Sequence, residues 1–182
     1  MKWSNKNIRL RSVWLLVPVF IILAEPTVRL LLIGAALALV GGLIRAWAAG
    51  TIRKNKILTV SGPYAYTRNP LYFGSFLVGL GVAVASGSLW LLLIFLVFFT
   101  VVYSRTIVAE ERRLEELFGE SFRRYAAAVP RFVPRLVPYR SGESSATRFR
   151  LQHYFGQREW ELALGVLLAF MALWGKMEWE WF

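Results

Sequence analysis

Three short polar clusters hold the residues able to do chemistry in this chain, and each borders a long apolar run. The first is Leu58-Thr-Val-Ser-Gly-Pro-Tyr-Ala-Tyr-Thr-Arg-Asn-Pro-Leu-Tyr-Phe-Gly74. Gly62-Pro63 marks a turn, and Pro70 suits the first turn of a helix with Asn69 as its N-cap. A helix beginning there offers unpaired N–H groups and the positive end of its dipole to a carboxylate or similar anion. Tyr64, Tyr66 and Tyr72 add rings that pack against a planar or cationic ligand. The plainer reading is a capped helix with interfacial tyrosines.

The second cluster is Ala109-Glu-Glu-Arg-Arg-Leu-Glu-Glu-Leu-Phe-Gly119. Helical spacing puts Glu111 on one face with Ile107, Leu114 and Phe118, and a carboxylate on an apolar stripe needs a partner. A ligand ammonium or ribose hydroxyl would serve, and so would a nearby arginine. Arg112 with Glu116, and Glu120 with Arg124, have the four-residue spacing of solvated salt bridges. The third cluster is Val129-Pro-Arg-Phe-Val-Pro134, where prolines hold an extended segment and Arg131 reaches an anionic group. That anion is either a ligand or lipid phosphate. His153, the one histidine, has no Asp, Glu or Cys at ligand spacing and reads as interfacial. With no cysteine, the chain lacks a disulfide framework, a thiol nucleophile and Cys-ligated metal.

These clusters are held by elements suited to lipid. Hydrophobic residues make up 57% of the 182, above the roughly 45–50% of soluble domains. A net charge of +11 in a soluble protein would point to nucleic acid, but here the basic residues sit in short loops between apolar runs. Neither nucleic acid nor a metal is an expected partner. The expected fold is all-α, a polytopic transmembrane helical bundle of about five membrane helices.

Val13 to Ala24 is a short first run, kinked at Pro18. It has signal-peptide length behind a basic start, but no small-x-small cleavage site follows. Glu25-Pro26-Thr27 instead turns it into a second run from about Leu30 to Ala49, with Arg29 snorkelling at one end and Arg45 near the other. Leu71 to Ala85 and Leu89 to Val108 form a second hairpin through Ser86-Gly87-Ser88. The fourth helix continues to Phe118 and ends at Gly119. Gly79-Leu-Gly81 suits close helix packing. A short helix and irregular backbone follow, with Ser141 to Thr147 as a linker. Trp160 to Gly175 is the last run, trailed by the interfacial residues Trp174, Trp179 and Trp181.

Lys2, Lys6, Arg9 and Arg11 precede the first helix, and Arg53, Lys54 and Lys56 follow the second, so both ends of that hairpin belong inside. The arginine-rich segment from Arg105 to Arg158 returns to the same side. The N-terminus is then inside and the C-terminus outside, in a bacterial or archaeal cytoplasmic membrane. All three polar clusters converge on the cytoplasmic face.

Gly62-Pro-Tyr-x-Tyr-x-Arg-Asn-Pro-x-Tyr-x-Gly74, Glu110-Glu111-x-x-Leu114, Phe118-Gly119, Tyr125 and Val129-Pro-Arg-Phe132, in this order and spacing, resemble the isoprenylcysteine carboxyl methyltransferase and phospholipid methyltransferase superfamily. The resemblance spans roughly residues 45–135. It implies a membrane enzyme that binds S-adenosylmethionine at its cytosolic face and methylates a lipidic or hydrophobic acceptor on oxygen or nitrogen. It implies cofactor contacts from Leu58, Thr59, Tyr64, Arg68, Asn69, Pro70, Leu71, Tyr72, Glu110 and Glu111.

Arg68, Asn69 and Arg131 are the catalytic candidates. Asn69 stands where many members have His, which implies a hydrogen-bonding role there. Thr106 stands where the eukaryotic prenylcysteine enzymes carry a substrate-binding Arg, leaving its neighbour Arg105, with Arg131, as substrate-binding candidates. Residues 1–50 then form an N-terminal hairpin, 51–140 the methyltransferase core, and 141–182 a basic surface segment with the C-terminal helix. Membrane lipids are further expected partners. The alternative is a non-catalytic membrane protein that keeps the fold for binding or assembly. A transporter would place ionisable residues mid-membrane, where this chain has almost none.

Overall fold

The structure is a computed structural model, and it describes residues 18–53, 57–140, 149–151, 154 and 159–179. Its described elements are helical, with no strand among the described residues. Residues 18–23 form a helical segment, followed by α1 (Val28–Thr51), a 3-10 turn (Gly62–Ala65), α2 (Pro70–Ala85), α3 (Leu89–Ala128) and α4 (Glu159–Trp179). Helices suit such apolar runs because every interior backbone group is satisfied within its own segment.

Three helices, α1, α3 and α4, are long and apolar enough to cross a membrane. Their outward faces carry Leu32, Leu39, Leu93, Val97, Leu167 and Trp174, all exposed, as expected of an integral membrane protein whose solvent is lipid. The 16 residues of α2 span about 24 Å at 1.5 Å each, short of a bilayer core of about 30 Å. The 40 residues of α3 are about 60 Å long, so the helix carries its C-terminal half well past such a core. Of the expected first helix, residues 13–17 lie outside the described residues, as do the linker 141–147, His153 and Trp181.

The tightest seam joins α1 and α2, which run antiparallel. Gly34 meets Gly81 and Gly41 meets Gly74, each pair being backbone against backbone. A Cβ on Gly41 would sit 2.6 Å from the Gly74 carbonyl oxygen, and one on Gly74 would sit 2.7 Å from that of Gly41. Glycines spaced by seven on both helices therefore let the two backbones touch, which is how membrane helices gain dispersion energy without a hydrophobic drive. Gly79, expected at a packing surface, faces the Phe95 ring of α3.

An aromatic cluster fills the seam between α2 and α3. Phe99 stacks on Tyr103 at 4.2 Å, Tyr103 meets Tyr72 edge-on at 5.4 Å, and Phe132 inserts against Phe73, Phe76 and Phe99. Such contacts add roughly 0.5–1.5 kcal/mol each beyond burial.

Gly119 breaks α3 where its type predicts. It takes φ 50° and ψ −124°, a conformation that disfavours a side chain, and the helix resumes to Ala128. The break redirects the last turns so that Phe122, Tyr125 and Val129 pack with Leu58 and Val60. At α2, Pro70 occupies the first turn as expected, but the Asn69 side chain makes no capping hydrogen bond. It is used across the fold instead.

Candidate functional site

The 3-10 turn, the start of α2 and the segment after α3 are laced together through their backbones. Arg68 N–H donates to the Pro130 carbonyl at 3.0 Å, Arg135 N–H to Tyr66 at 2.9 Å, and Tyr139 N–H to Ala65 at 2.9 Å. Prolines at 130, 134 and 138 keep this strap extended, which leaves its N–H and C=O groups free to pair outward. Thr67 Oγ1 donates to the Phe132 carbonyl at 2.9 Å, and the Tyr125 hydroxyl donates to the Tyr64 carbonyl at 2.7 Å.

Glu111 is the hub of this assembly. Its buried carboxylate accepts from Arg131 Nε at 3.0 Å and lies 2.9 Å from Arg131 Nη2 and 3.3 Å from Arg68 Nε. Asn69 Nδ2 reaches it at 3.5 Å while donating to the Arg131 carbonyl at 3.0 Å. A buried carboxylate held by two guanidinium groups has its charge compensated from within the protein. All three polar clusters thus meet at a single point, with Arg68 and Asn69 from the first.

Beside this hub lies a cavity of about 620 Å³, within the roughly 300–1,000 Å³ of small-ligand sites. Leu58, Thr59, Tyr64, Arg68, Asn69, Pro70, Leu71, Tyr72, Glu110 and Glu111 all border it. Arg131 stands behind the wall, gripping Glu111. Arg105 lies elsewhere, in a shallow notch with Ser104, Val108, Ala109 and Arg112 on α3. Thr106, one residue on, is the position that faces the cavity, because one step along a helix rotates a side chain by about 100°. The exposed ion pairs also differ from the four-residue pattern: Arg123 contacts Glu115 at 2.7 Å and Glu120 at 3.9 Å.

The wall offers both signs of charge and an unused hydroxyl. Glu110 accepts from the Tyr72 hydroxyl at 2.7 Å. The first-turn N–H groups of Leu71 and Tyr72 have no acceptor within their own helix. The Tyr64 hydroxyl is buried without a hydrogen-bond partner among the described residues. Burial, with Tyr125 and Glu110 nearby, raises its pKa well above the usual tyrosine value, so it remains a neutral phenol. A buried hydroxyl with no partner costs roughly 1–3 kcal/mol, which a ligand bonding to it would recover.

Arg45 and Glu159, both in the cavity wall, were not among the site residues expected from the sequence. Arg45, on α1, donates through Nε and Nη2 to Glu159 on α4 at 2.9 and 2.8 Å, and through Nη1 to the Leu71 carbonyl at 3.2 Å and to Ser75 Oγ. The available signal was an arginine six positions inside an apolar helix, which needs a partner in lipid.

The phospholipid methyltransferase family matches residues 28–121. Among curated proteins, the cobalt-zinc-cadmium resistance protein CzcN of Cupriavidus metallidurans is 38% identical over 141 residues, covering 75% of this chain and 63% of that protein. The nickel-cobalt-cadmium resistance protein NccN of Alcaligenes xylosoxydans xylosoxydans is 36% identical over 112 residues, covering 60% and 51%. The protein-S-isoprenylcysteine O-methyltransferase of Schizosaccharomyces pombe is 35% identical over 85 residues, covering 47% and 36%. The chain thus spans less than two thirds of the length of each of these relatives. No solved structure matches it significantly. The family match takes in α1, α2, the α2 and α3 rings of the aromatic seam, and Glu110 and Glu111 of the cavity wall, over half of the 182 residues, and on that ground the chain belongs to the phospholipid methyltransferase family.

Proposed function

We propose that this chain is an S-adenosylmethionine-dependent methyltransferase of the membrane, acting on a lipidic or hydrophobic acceptor from a cofactor cavity at the cytoplasmic face. One observation carries the reading: an unpartnered buried hydroxyl, a carboxylate and a helix N-terminus border one cavity.

The residues present fit the cofactor. Glu110 suits its ammonium, the free N–H groups at the start of α2 suit its carboxylate, and Tyr64 suits a hydroxyl or ring nitrogen. S-adenosylmethionine supplies an electrophilic methyl group on a sulfonium. The protein's part is to align the acceptor with that group and exclude water, and neither task requires a covalent nucleophile. Arg68 and Asn69, fixed by Glu111 and the strap, are placed to orient ligands at the wall. An acceptor entering from the bilayer would pass the aromatic seam of α2 and α3.

The test is calorimetric binding of S-adenosylmethionine and S-adenosylhomocysteine to detergent-purified protein, with Glu110→Ala alongside. Binding by the wild type that is weakened in the variant supports the reading. A folded wild type that binds neither ligand refutes it. Two relatives are named for metal resistance rather than methyl transfer, which keeps a non-catalytic binding or assembly role as the second reading.

A further inference from the structure

The last helix lies outside the family match, which ends at residue 121, yet its first residue forms part of the cavity wall. Glu159 is buried at the N-terminus of α4, 7% exposed, and its only described side-chain partner is Arg45, itself 20% exposed. The pair is bidentate, with each carboxylate oxygen taking one guanidinium nitrogen. The third guanidinium nitrogen holds the Leu71 carbonyl and Ser75 Oγ in the first turns of α2. One arginine on α1 therefore ties the helix whose N-terminus faces the cavity to the helix that closes it. Planar guanidinium geometry makes this a fixed bracket, because both forks must be satisfied at once. Desolvation raises the cost of separating the two charges.

We infer that Arg45 and Glu159 form a latch that makes α4 a working part of the cofactor site. They are positioning residues that set the start of α2 and the cavity width. This inference rests on the proposed methyltransferase reading for its ligand, but the latch itself is testable without one. The absence of cysteine from the sequence allows spin labels at Leu43→Cys on α1 and Leu164→Cys on α4, both exposed positions, to report the separation of the two helices.

Glu159→Gln leaves the part-buried Arg45 with a weakened partner and is compared with Arg45→Met/Glu159→Met, which removes both charges at similar volume and is expected to preserve folding. The latch predicts a narrow label distance in the wild type that broadens in both variants. It also predicts S-adenosylhomocysteine binding weakened about ten- to a hundredfold, the scale of an ångström of misplacement, with recovery in Glu159→Asp. A folded double variant with wild-type distance overturns the latch, whether or not its affinity changes. Broadened distance with unchanged affinity overturns its positioning role. If the wild type binds no ligand, the methyltransferase reading fails and the label distances alone decide the latch.

Discussion

Arg131 and Glu111 are joined by two contacts to one oxygen, Nε at 3.0 Å and Nη2 at 2.9 Å on Oε2, and this join fastens the proline strap to α3. It also divides the work of the neighbouring acids. Glu111 is consumed by arginines, while Glu110 meets only a tyrosine hydroxyl among the described residues.

Glu111→Gln is therefore expected to act on stability. It leaves two guanidinium groups without their counter-charge, that of Arg68 part-buried, at a cost of about 2–3 kcal/mol. A lowered thermal midpoint in detergent, measured without ligand, checks this. An unchanged midpoint would remove Glu111 as the hub.

Glu110→Ala is expected to do the reverse. One part-buried hydrogen bond is worth about 1 kcal/mol, so the midpoint should move little, while cofactor affinity falls at least about tenfold through a lost charge-assisted contact. Parallel melting and calorimetry on the two variants separate the roles.

Tyr64→Phe removes a hydroxyl that is buried without a partner. The ligand-free variant should melt no lower than the wild type, and up to about 1 kcal/mol higher, yet bind S-adenosylhomocysteine more weakly. The raised pKa adds a pH signature. An unfolded tyrosine releases its proton near 10.0, but the folded Tyr64 holds it to higher pH. Its stabilising contribution is thus present below pH 10 and declines as pH rises above it. Melting curves from pH 9 to 11 should decline more steeply for the wild type than for Tyr64→Phe.

Gly74→Ala should pry α1 from α2, because the new methyl would meet the Gly41 carbonyl oxygen at 2.7 Å. A loss of about 1–3 kcal/mol is expected from such overpacking. Gly42→Ala, on the open side of α1 with nothing within 4 Å, is the matched control and should be neutral or slightly stabilising.

The helices and their order were legible in the sequence because length and apolarity are local properties, and a helix in lipid satisfies its own backbone. Leu71 to Ala85 and Trp160 to Gly175 lie within one to four residues of the ends of α2 and α4. The ten residues that the family resemblance implies for the cofactor all border one cavity. Asn69 shows where local rules stop: its type has an ordinary helix-capping role, and its side chain was recruited instead by Arg131 and Glu111 from elsewhere in the chain.

By itself, then, the sequence determined an all-helical membrane protein with three polar clusters beside its apolar runs, since composition, periodicity and loop charge need no partner to be read. Tertiary structure alone decided that Glu111 is spent on arginines while Glu110 meets a tyrosine hydroxyl, though the two are adjacent in sequence and both border the cavity. It alone paired Arg45 with Glu159 across 114 positions. Neighbouring helical side chains diverge by about 100°, and a buried charge takes the partner that packing brings within about 3 Å, so neither choice is written in local sequence.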